Sequence, residues 1–322
     1  MAQSAHTVAA GGLAGTPVKG VTTMAAAVPA PAAAPLGREQ VRPTVAQAQR
    51  PPGLRLLMHL LLLCGALVNI FPFYWMVVTS FKSNAEAMAS PPTFVPAIWH
   101  PENYPLALSQ APFGRYFFNT AFIAFWTVVG VLVVSALAAY AFARMEFFGK
   151  KVLFGAFLAT LMIPGEVTLI PNFVMVTKWL GWYDTYQAQI VPSVGSVIAI
   201  FLLRQFFMSI PKDLEDAAKI DGCSTLRFLW AILLPLSTPA LITVALLNFL
   251  ATWNAFLWPL LVTRSPQMRP IQLGLQVFSS EFGSRYAELM AASTLVILPT
   301  VVVYLVAQRY FVEGIARTGL RG

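Results

Sequence analysis

Six continuous apolar stretches occupy most of the chain, and short polar or proline-rich segments separate them. A helix needs roughly 20 residues to cross the hydrocarbon core of a bilayer, and each stretch has that length. Because the stretches are apolar throughout instead of alternating, they favour helices over the strands of a membrane barrel. The pattern predicts an all-α, polytopic membrane protein whose six transmembrane helices cover Leu56–Val78, Phe117–Phe142, Val152–Val176, Ala188–Met208, Ala240–Val262 and Ala287–Phe311.

The two ends of the chain differ from this pattern. Residues 1–50 are rich in Ala, Pro, Gly and Thr and lack apolar periodicity, so they cannot bury enough surface to offset the entropy lost on ordering. We expect a disordered cytoplasmic tail there, followed by one transmembrane domain over residues 51–322. That domain includes a polar inner loop, residues 209–235, and a cytoplasmic C-terminal tail, residues 312–322.

Composition and charge support the membrane assignment. Of the 322 residues, 57% are hydrophobic and 11% are charged, whereas a soluble domain carries about 25% charged residues. The net charge of +8 would suggest nucleic acid as the partner of a soluble protein, but here the basic residues flank the apolar stretches. We therefore expect contact with anionic membrane lipid and none with nucleic acid. Most of the 21 lysines and arginines fall on one side of the six spans, which predicts that both termini are cytoplasmic.

The short polar segment "DAAKIDG", residues 216–222, lies between two very apolar stretches. Ser209 is suited to begin a short helix as its cap, and Gly222 is suited to end it in a left-handed conformation. Glu215 and Lys219 can pair at i, i+4 on its flank. One side of this helix would carry residues at i, i+3, i+4 and i+7, namely Leu214, Ala217, Ala218 and Asp221.

This helix is amphipathic but only weakly hydrophobic, so it gains little from lying in lipid. Its alanines allow another backbone to approach closely, and its acids can pair with Lys or Arg, which favours docking against protein. A solvated inner loop is the alternative, because charges alone would keep the segment out of the bilayer.

The residues that follow extend the pattern. Ile232 lies ten residues after Gly222, and Leu234 and Pro235 come next. This order resembles the EAA motif of permease subunits of ATP-binding cassette importers, with Asp216 where that family usually has Glu. Three further segments, "MIPGEVTLIP", "FLATWNAFLWPLLVT" and "QRYFVEGIARTGLRG", are similar to the carbohydrate-uptake class, specifically to the maltose-transporter-type inner-membrane subunit.

The resemblance implies the type I importer permease fold and a place in the cell inner membrane. It also implies a set of partners: a second permease subunit, two ATPase subunits that bind ATP and Mg, an extracytoplasmic solute-binding protein and a sugar. This chain would hold no cofactor of its own.

In that family the EAA loop is a coupling helix seated in a cleft of the ATPase subunit, and the C-terminal tail reaches between the ATPase subunits. The coupling residues implied here are Leu214, Glu215, Asp216, Ala217, Ala218, Lys219, Asp221, Gly222 and Pro235. The corresponding tail residues are Arg317, Gly319, Arg321 and Gly322. A basic chain end that faces anionic lipid is the alternative for the tail.

Three polar residues within apolar stretches are candidates for the translocation path: Glu166, Asn172 and Asn254. Ionisable groups at bilayer depth usually face a cavity or a partner, although Glu166 could instead bond amides freed by the Pro-Gly break beside it. Asn254 lies near Trp253 and Trp258, which could stack on a sugar ring or simply pack in the membrane.

Other functional classes fit the sequence less well. A secondary transporter or channel would need coupling charges or inverted repeats near the midplane. The chain lacks the phosphate-binding pattern G-x-x-x-x-G-K-[ST], a nucleophile–base pair and metal-ligand spacing, so we expect neither catalytic nor metal-binding residues and place ATP hydrolysis in another polypeptide. Within the importer class, glycerol 3-phosphate or another non-sugar solute is the alternative cargo.

Overall fold

The computed structural model describes residues 52–278 and 285–319 of the chain. The predicted N-terminal tail lies outside these residues. By its internal contacts the chain divides into residues 1–56 and residues 57–322, and the packed helices belong to the second unit. Every regular element in the described residues is helical, so the predicted all-α class is confirmed.

Fifteen α-helices are described, together with shorter 3₁₀ and π segments. The α-helices are α1 Pro52–Ser80, α2 Asn84–Ala87, α3 Asn103–Ser109, α4 Phe113–Arg144, α5 Lys150–Ala159, α6 Gly165–Val174, α7 Tyr186–Ile190, α8 Val197–Ser209, α9 Asp213–Ile220, α10 Thr225–Phe228, α11 Leu234–Leu236, α12 Thr238–Trp253, α13 Leu257–Val262, α14 Ile271–Gly274 and α15 Tyr286–Gly319. The 3₁₀ turns are Thr160–Met162, Val191–Ser193, Pro266–Met268 and Leu275–Phe278, and the π turns are Met175–Trp179 and Leu229–Leu233.

By length and composition, the described residues supply up to six membrane spans, in agreement with the predicted number. Helices α1, α4 and α15 are single long helices, whereas the other three spans are bent pairs. The bends measure 98° between Lys150–Met162 and Gly165–Trp179, 43° between Tyr186–Ser193 and Val197–Ser209, and 81° between Thr225–Leu236 and Thr238–Trp253. Pro164 lies at the first bend and Pro239 just after the third, where the missing N–H of proline weakens the helical ladder.

The predicted fifth span, Ala240–Val262, is wrong in its extent, because α12 ends at Trp253 and α13 begins only at Leu257. Asn254 ends α12 and its Nδ2 donates to the Leu250 carbonyl at 2.9 Å. The break places Pro259 in the first turn of α13, where no intrahelical N–H is needed. The span is instead extended at its other end by the segment Thr225–Leu236.

Helix α4 is the central element, since it packs against both α8 and α12, and α12 packs in turn against α15. Small residues allow the closest approach: a Cβ on Gly130 would lie 2.8 Å from Cγ2 of Val194. One buried cluster, centred on Val131, Leu203 and Leu233, surrounds the end of α4 that carries Arg144. A second cluster, around Phe113 and Trp253, lies at the other end.

Candidate functional site

Helix α9 is a separate short helix directly after α8, as the polar segment predicted, but its first residue differs from the expectation. Ser209 is the last residue of α8, and its Oγ donates to the Phe206 carbonyl at 2.7 Å instead of capping α9. The reason is Pro211, which forces the residue before it, Ile210, into an extended conformation. Helix α8 therefore ends at Ser209. Lys212 occupies the N-cap position of α9 without a side-chain bond.

Gly222 ends α9 in the left-handed conformation that was predicted, with φ of 75°. The Cys223 N–H donates to the Ala218 carbonyl at 2.8 Å, and the Gly222 N–H donates to the Lys219 carbonyl at 3.0 Å. These two bonds form a Schellman motif, which satisfies carbonyls at the helix end and fixes the direction in which the chain leaves it.

The buried side of α9 consists of Glu215 and Ala218. Glu215 Oε1 accepts from Lys219 Nζ at 3.0 Å, which is the predicted i, i+4 pair. Its other carboxylate oxygen lies 3.8 Å from Arg144 Nη1. Ala218 packs in the same cluster as Phe228, so the inner side of α9 contacts both the central helix and the chain that follows.

Arg144 was not singled out by the sequence analysis, yet it joins three helices. Its side chain is 2% exposed, and Nη2 donates to the carbonyls of Phe207 at 2.8 Å and Ile210 at 2.7 Å. The guanidinium therefore binds the C-terminal end of α8, where the helix dipole is negative, while it faces Glu215 of α9. The available signal was a single arginine at the end of a long apolar span.

The outward side of α9 is divided differently from the expectation. Three of the four residues predicted to share one side are exposed: Leu214, Ala217 and Asp221. The fourth, Ala218, is buried against the bundle. Ile220 is 87% exposed and adds a second large apolar side chain to this surface. Acidic and apolar groups together thus face away from the rest of the chain.

The segment after Gly222 is packed tightly. Phe228, Leu229 and Leu233 are 2% exposed or less and pack in the cluster that also contains Ala218. Pro235 is exposed and lies in the single turn α11, immediately before the 81° bend into α12. A displacement of α9 would therefore reach α12 through closely packed side chains.

The three predicted path residues are not brought together by any contact among the described residues. Glu166 is exposed in the first turn of α6 and makes no hydrogen bond with the described part of the chain. Asn172 is half-buried, further along α6. Asn254 is exposed, and its Oδ1 accepts from Gln272 Nε2 at 3.2 Å.

The two tryptophans near Asn254 have separate roles. Trp253 is buried and its Nε1 donates to the Val296 carbonyl at 3.1 Å, so it is a core residue. Trp258 Nε1 donates to the Ala188 carbonyl at 2.9 Å, and its ring lines a cavity.

That cavity, of about 170 Å³, lies between α4, α7, α12 and α13 at the end of the bundle away from Arg144. Pro270 covers part of it. Its polar lining residues are Thr120, Thr127, Gln189, Ser193, Asn248 and Thr252. Sequence reasoning missed them, although they recur at i, i+4 or i, i+7 within apolar spans, which is the spacing of one helix face.

The loop between α13 and α14, residues 263–270, lies over this cavity and is held by hydrogen bonds to two side chains elsewhere in the chain. Asn119 Nδ2 donates to the carbonyls of Gln267 at 2.7 Å and Arg269 at 2.9 Å. Asp184, at φ of 60°, accepts at Oδ1 from the backbone N–H groups of Arg264 at 2.8 Å and Ser265 at 3.0 Å. Partial burial is the largest single effect and raises the pKa of Asp184, but the hydrogen bonds from Arg264 and Ser265 and the Arg264 charge together lower the pKa more, so it lies below its ordinary value.

Comparisons with known proteins agree with this architecture. The family described as "Binding-protein-dependent transport system inner membrane component" matches residues 131–317. The sn-glycerol-3-phosphate transport system permease protein UgpE of Yersinia enterocolitica is 35% identical over 274 residues, which cover 82% of this chain and 96% of that protein. The arabinooligosaccharides transport system permease protein AraQ of Halalkalibacterium halodurans is 35% identical over 260 residues, covering 80% and 93%.

A solved structure shows the same likeness in three dimensions. It is a bacterial ABC transporter involved in the import of the acidic polysaccharide alginate, and one of its chains matches with a TM-score of 0.70 and 26% identity over 80% of this chain and 96% of that chain. The expected type I importer permease fold is thereby confirmed. This chain belongs to the family of binding-protein-dependent transport system inner membrane components.

Proposed function

We propose that this chain is one of two permease subunits of an ATP-driven sugar importer and that α9 is its coupling helix. The partners are a second permease subunit, two ATPase subunits that bind ATP and Mg, and an extracytoplasmic solute-binding protein. The family supports the transport role, and the relatives named for arabinooligosaccharides and alginate support a carbohydrate cargo.

The observation that carries this proposal is the way in which α9 is held. Its C-terminal end is closed by the Schellman motif at Gly222, and its buried side is tied through Glu215 to Arg144. A helix fixed in this way can transmit a push, whereas a mobile loop would absorb it. Ile220 on the opposite side and Leu214 on the flank of α9 are left uncovered for a cleft in the ATPase subunit.

Charge supports the same partner. Lys219 lies 3.0 Å from Glu215 but 3.9 Å from Asp216, so the Asp216 carboxylate remains largely available. Basic residues of the ATPase subunit would pair with Asp216 and Asp221 and set the register of docking. The shorter stem of aspartate, compared with the usual glutamate, brings that partner closer to the α9 backbone.

Orientation follows from the basic residues around α9. Arg144, Lys150, Arg204 and Lys212 lie together about one small pocket at this end of the bundle. Positive charge accumulates on the cytoplasmic side of membrane proteins, so this end faces the cytoplasm, and both chain termini do as well. Helix α9 then lies where ATPase subunits are found.

The C-terminal tail is assigned to the same partners. The backbone of α15 continues as a helix through Gly319, while Arg321 and Gly322 lie outside the described residues. We assign Arg317, Gly319, Arg321 and Gly322 to the interface between the ATPase subunits.

Replacing Gly222 with valine tests the coupling role. A β-branched residue at positive φ costs about 1–2 kcal/mol, and nothing lies within 4 Å of the new Cβ, so the strain acts on the helix end alone. We expect sugar uptake by the reconstituted assembly to fall roughly fivefold or more while ATP hydrolysis continues.

Gly181→Val is the matched control, because Gly181 has φ of 67°, open space within 4 Å of an added Cβ, and a place at the opposite end of the bundle. This control should retain coupled uptake at wild-type expression. Normal uptake by Gly222→Val, or equal uncoupling in both variants, would contradict the proposal.

A further inference from the structure

We propose that a basic groove at the α9 end of the bundle binds the phosphodiester headgroup of an anionic phospholipid of the inner leaflet. The groove consists of two adjoining cavities, of about 610 Å³ and about 230 Å³, which share Glu146, Lys150 and Arg204 as lining residues. The larger cavity lies within the range of about 300–1,000 Å³ that is usual for ligand sites. The inference goes beyond the proposed importer role and takes from it only the orientation of the bundle, with this end toward the cytoplasm.

The lining of the basic groove is strongly positive. It holds one acid, Glu146, against five basic residues: Arg144, Lys150, Lys151, Arg204 and Lys212. The Glu146 side chain is 83% exposed, and its Oε1 lies 3.3 Å from Lys150 Nζ. Arg144 is bound to the end of α8 and faces Glu215, but the other basic groups exceed the one acid. Positive charge in a concave site favours an anion whose oxygens accept from Lys and Arg.

Arg204 has unpaired donors that a ligand can reach. Its Nε donates to the Phe142 carbonyl at 3.1 Å, and its guanidinium carbon lies 4.2 Å from the centre of the Phe154 ring. These two contacts fix the plane of the guanidinium. Nη1 and Nη2 make no hydrogen bond with the described part of the chain, and neither atom of this half-buried residue is closed off from solvent. Their N–H groups are therefore left for phosphate oxygens, which an arginine binds in pairs.

Two lysines at the start of α5 extend the positive surface. The Lys150 side chain is 17% exposed, and its Nζ donates to the Met145 carbonyl at 2.7 Å, which holds the ammonium where the two cavities meet. Lys151 is exposed and makes no hydrogen bond or ion pair with the described residues. The first turn of α5 contains no acidic residue and no side-chain cap, so the positive end of the helix dipole adds to the charge of both lysines.

Apolar residues beside these charges favour a lipid over a free phosphate ion. The bent span begins with Lys150–Met162, so the groove lies where this span enters the bilayer. Val152, which lines the larger cavity, is 78% exposed, and Leu153 beside it is 47% exposed. A free phosphate gains from the basic groups alone, whereas the acyl chains of a phospholipid also cover these apolar side chains. The ATPase subunit fits the groove less well, because its surface opposite the acidic side of α9 would itself be basic.

Native mass spectrometry of the complete assembly, purified in detergent and stripped of lipid, tests this site. The probes are phosphatidylglycerol, phosphatidylcholine and inorganic phosphate. We expect the wild type to retain phosphatidylglycerol in preference to phosphatidylcholine, and inorganic phosphate not to displace it. In Arg204→Gln, one retained phosphatidylglycerol per assembly should bind about tenfold more weakly, because charge-assisted hydrogen bonds to its phosphate are lost. In Lys151→Gln the same lipid should bind about fivefold more weakly, as expected for the loss of one cation near a membrane surface.

Arg227→Gln is the matched control, because Arg227 is an exposed arginine at the same end of the bundle and lines neither cavity. It should retain phosphatidylglycerol as the wild type does. Lys151→Gln changes only an exposed side chain, so it keeps the test decisive if Arg204→Gln does not fold.

Four results would each overturn the lipid site: equal retention of the two lipids by the wild type, displacement by inorganic phosphate, an equal loss in Arg227→Gln, or unchanged retention in both groove variants, whether or not the ATPase subunit dissociates. The measurement uses neither ATP nor sugar, so all of these results leave the importer role standing. Absence of ATP-driven sugar uptake by the wild-type assembly would overturn the importer role and leave the lipid site intact.

Discussion

At the residue scale, glycine and arginine determine how α9 is held, and the sequence reveals them unequally. Gly222 was predictable because a helix end followed by a left-handed residue is a local pattern that needs only neighbouring residues. The role of Arg144 was not, because it depends on carbonyls of Phe207 and Ile210, more than 60 residues further along the chain. Local rules cannot predict which distant helix end will lie beside a given guanidinium.

Arg144→Ala is expected to destabilise the protein by about 3 kcal/mol and to uncouple uptake from ATP hydrolysis. The loss has two parts: two charge-assisted hydrogen bonds disappear, and Glu215 loses a buried counter-charge. Thermal unfolding in detergent and uptake by the assembly measure the two effects. Lys212→Ala is the comparison, because Lys212 is an exposed cation directly before α9. Equal stability and equal uptake for the two variants would contradict this role of Arg144.

At the element scale, the sequence predicted the number of spans better than their ends. The bend at Pro164 follows from a Pro-Gly pair, and it was expected at that place. The break after Trp253 was missed because residues 240–262 are apolar on both sides of it, so hydropathy alone could not distinguish one helix from two. Asn254 and Pro259 were the local signals of the break.

The hydrogen bonds between Asp184 and the loop between α13 and α14 predict how the stability of the protein depends on pH. Burial raises the folded-state pKa of Asp184, but the hydrogen bonds from Arg264 and Ser265 and the Arg264 charge together lower that pKa below its ordinary value. Its carboxylate therefore stabilises the fold above the ordinary aspartate pKa, and this contribution is lost as the pH falls through the lower, folded-state value. Asp184→Asn keeps an acceptor oxygen and tolerates positive φ, so it should fold but show a smaller loss of melting temperature between pH 5 and pH 3, as rough bounds taken from the ordinary pKa. An unchanged acid dependence would contradict this role.

At the scale of the whole molecule, the family and the helical class were legible in the sequence, but the cavity was not. Its walls come from four helices far apart in the chain, so only their packing reveals that Thr127, Gln189 and Asn248 share one space. The span Leu56–Ser80 has no buried residue in its apolar window, which indicates that lipid or another subunit covers it in the assembly.

The central claim, that α9 docks in an ATPase subunit, is tested most directly by cross-linking in the active assembly. Ile220→Cys places a thiol on the outward side of α9, in a background with Cys64→Ser and Cys223→Ser. Trp179→Cys, 78% exposed at the other end of the bundle, is the matched control. We expect a short thiol–amine reagent to join Ile220→Cys, but not Trp179→Cys, to the ATPase subunit, with a yield that changes when ATP is added. Cross-linking of Ile220→Cys to no ATPase subunit, or its labelling by an impermeant reagent from outside the cell, would contradict this claim.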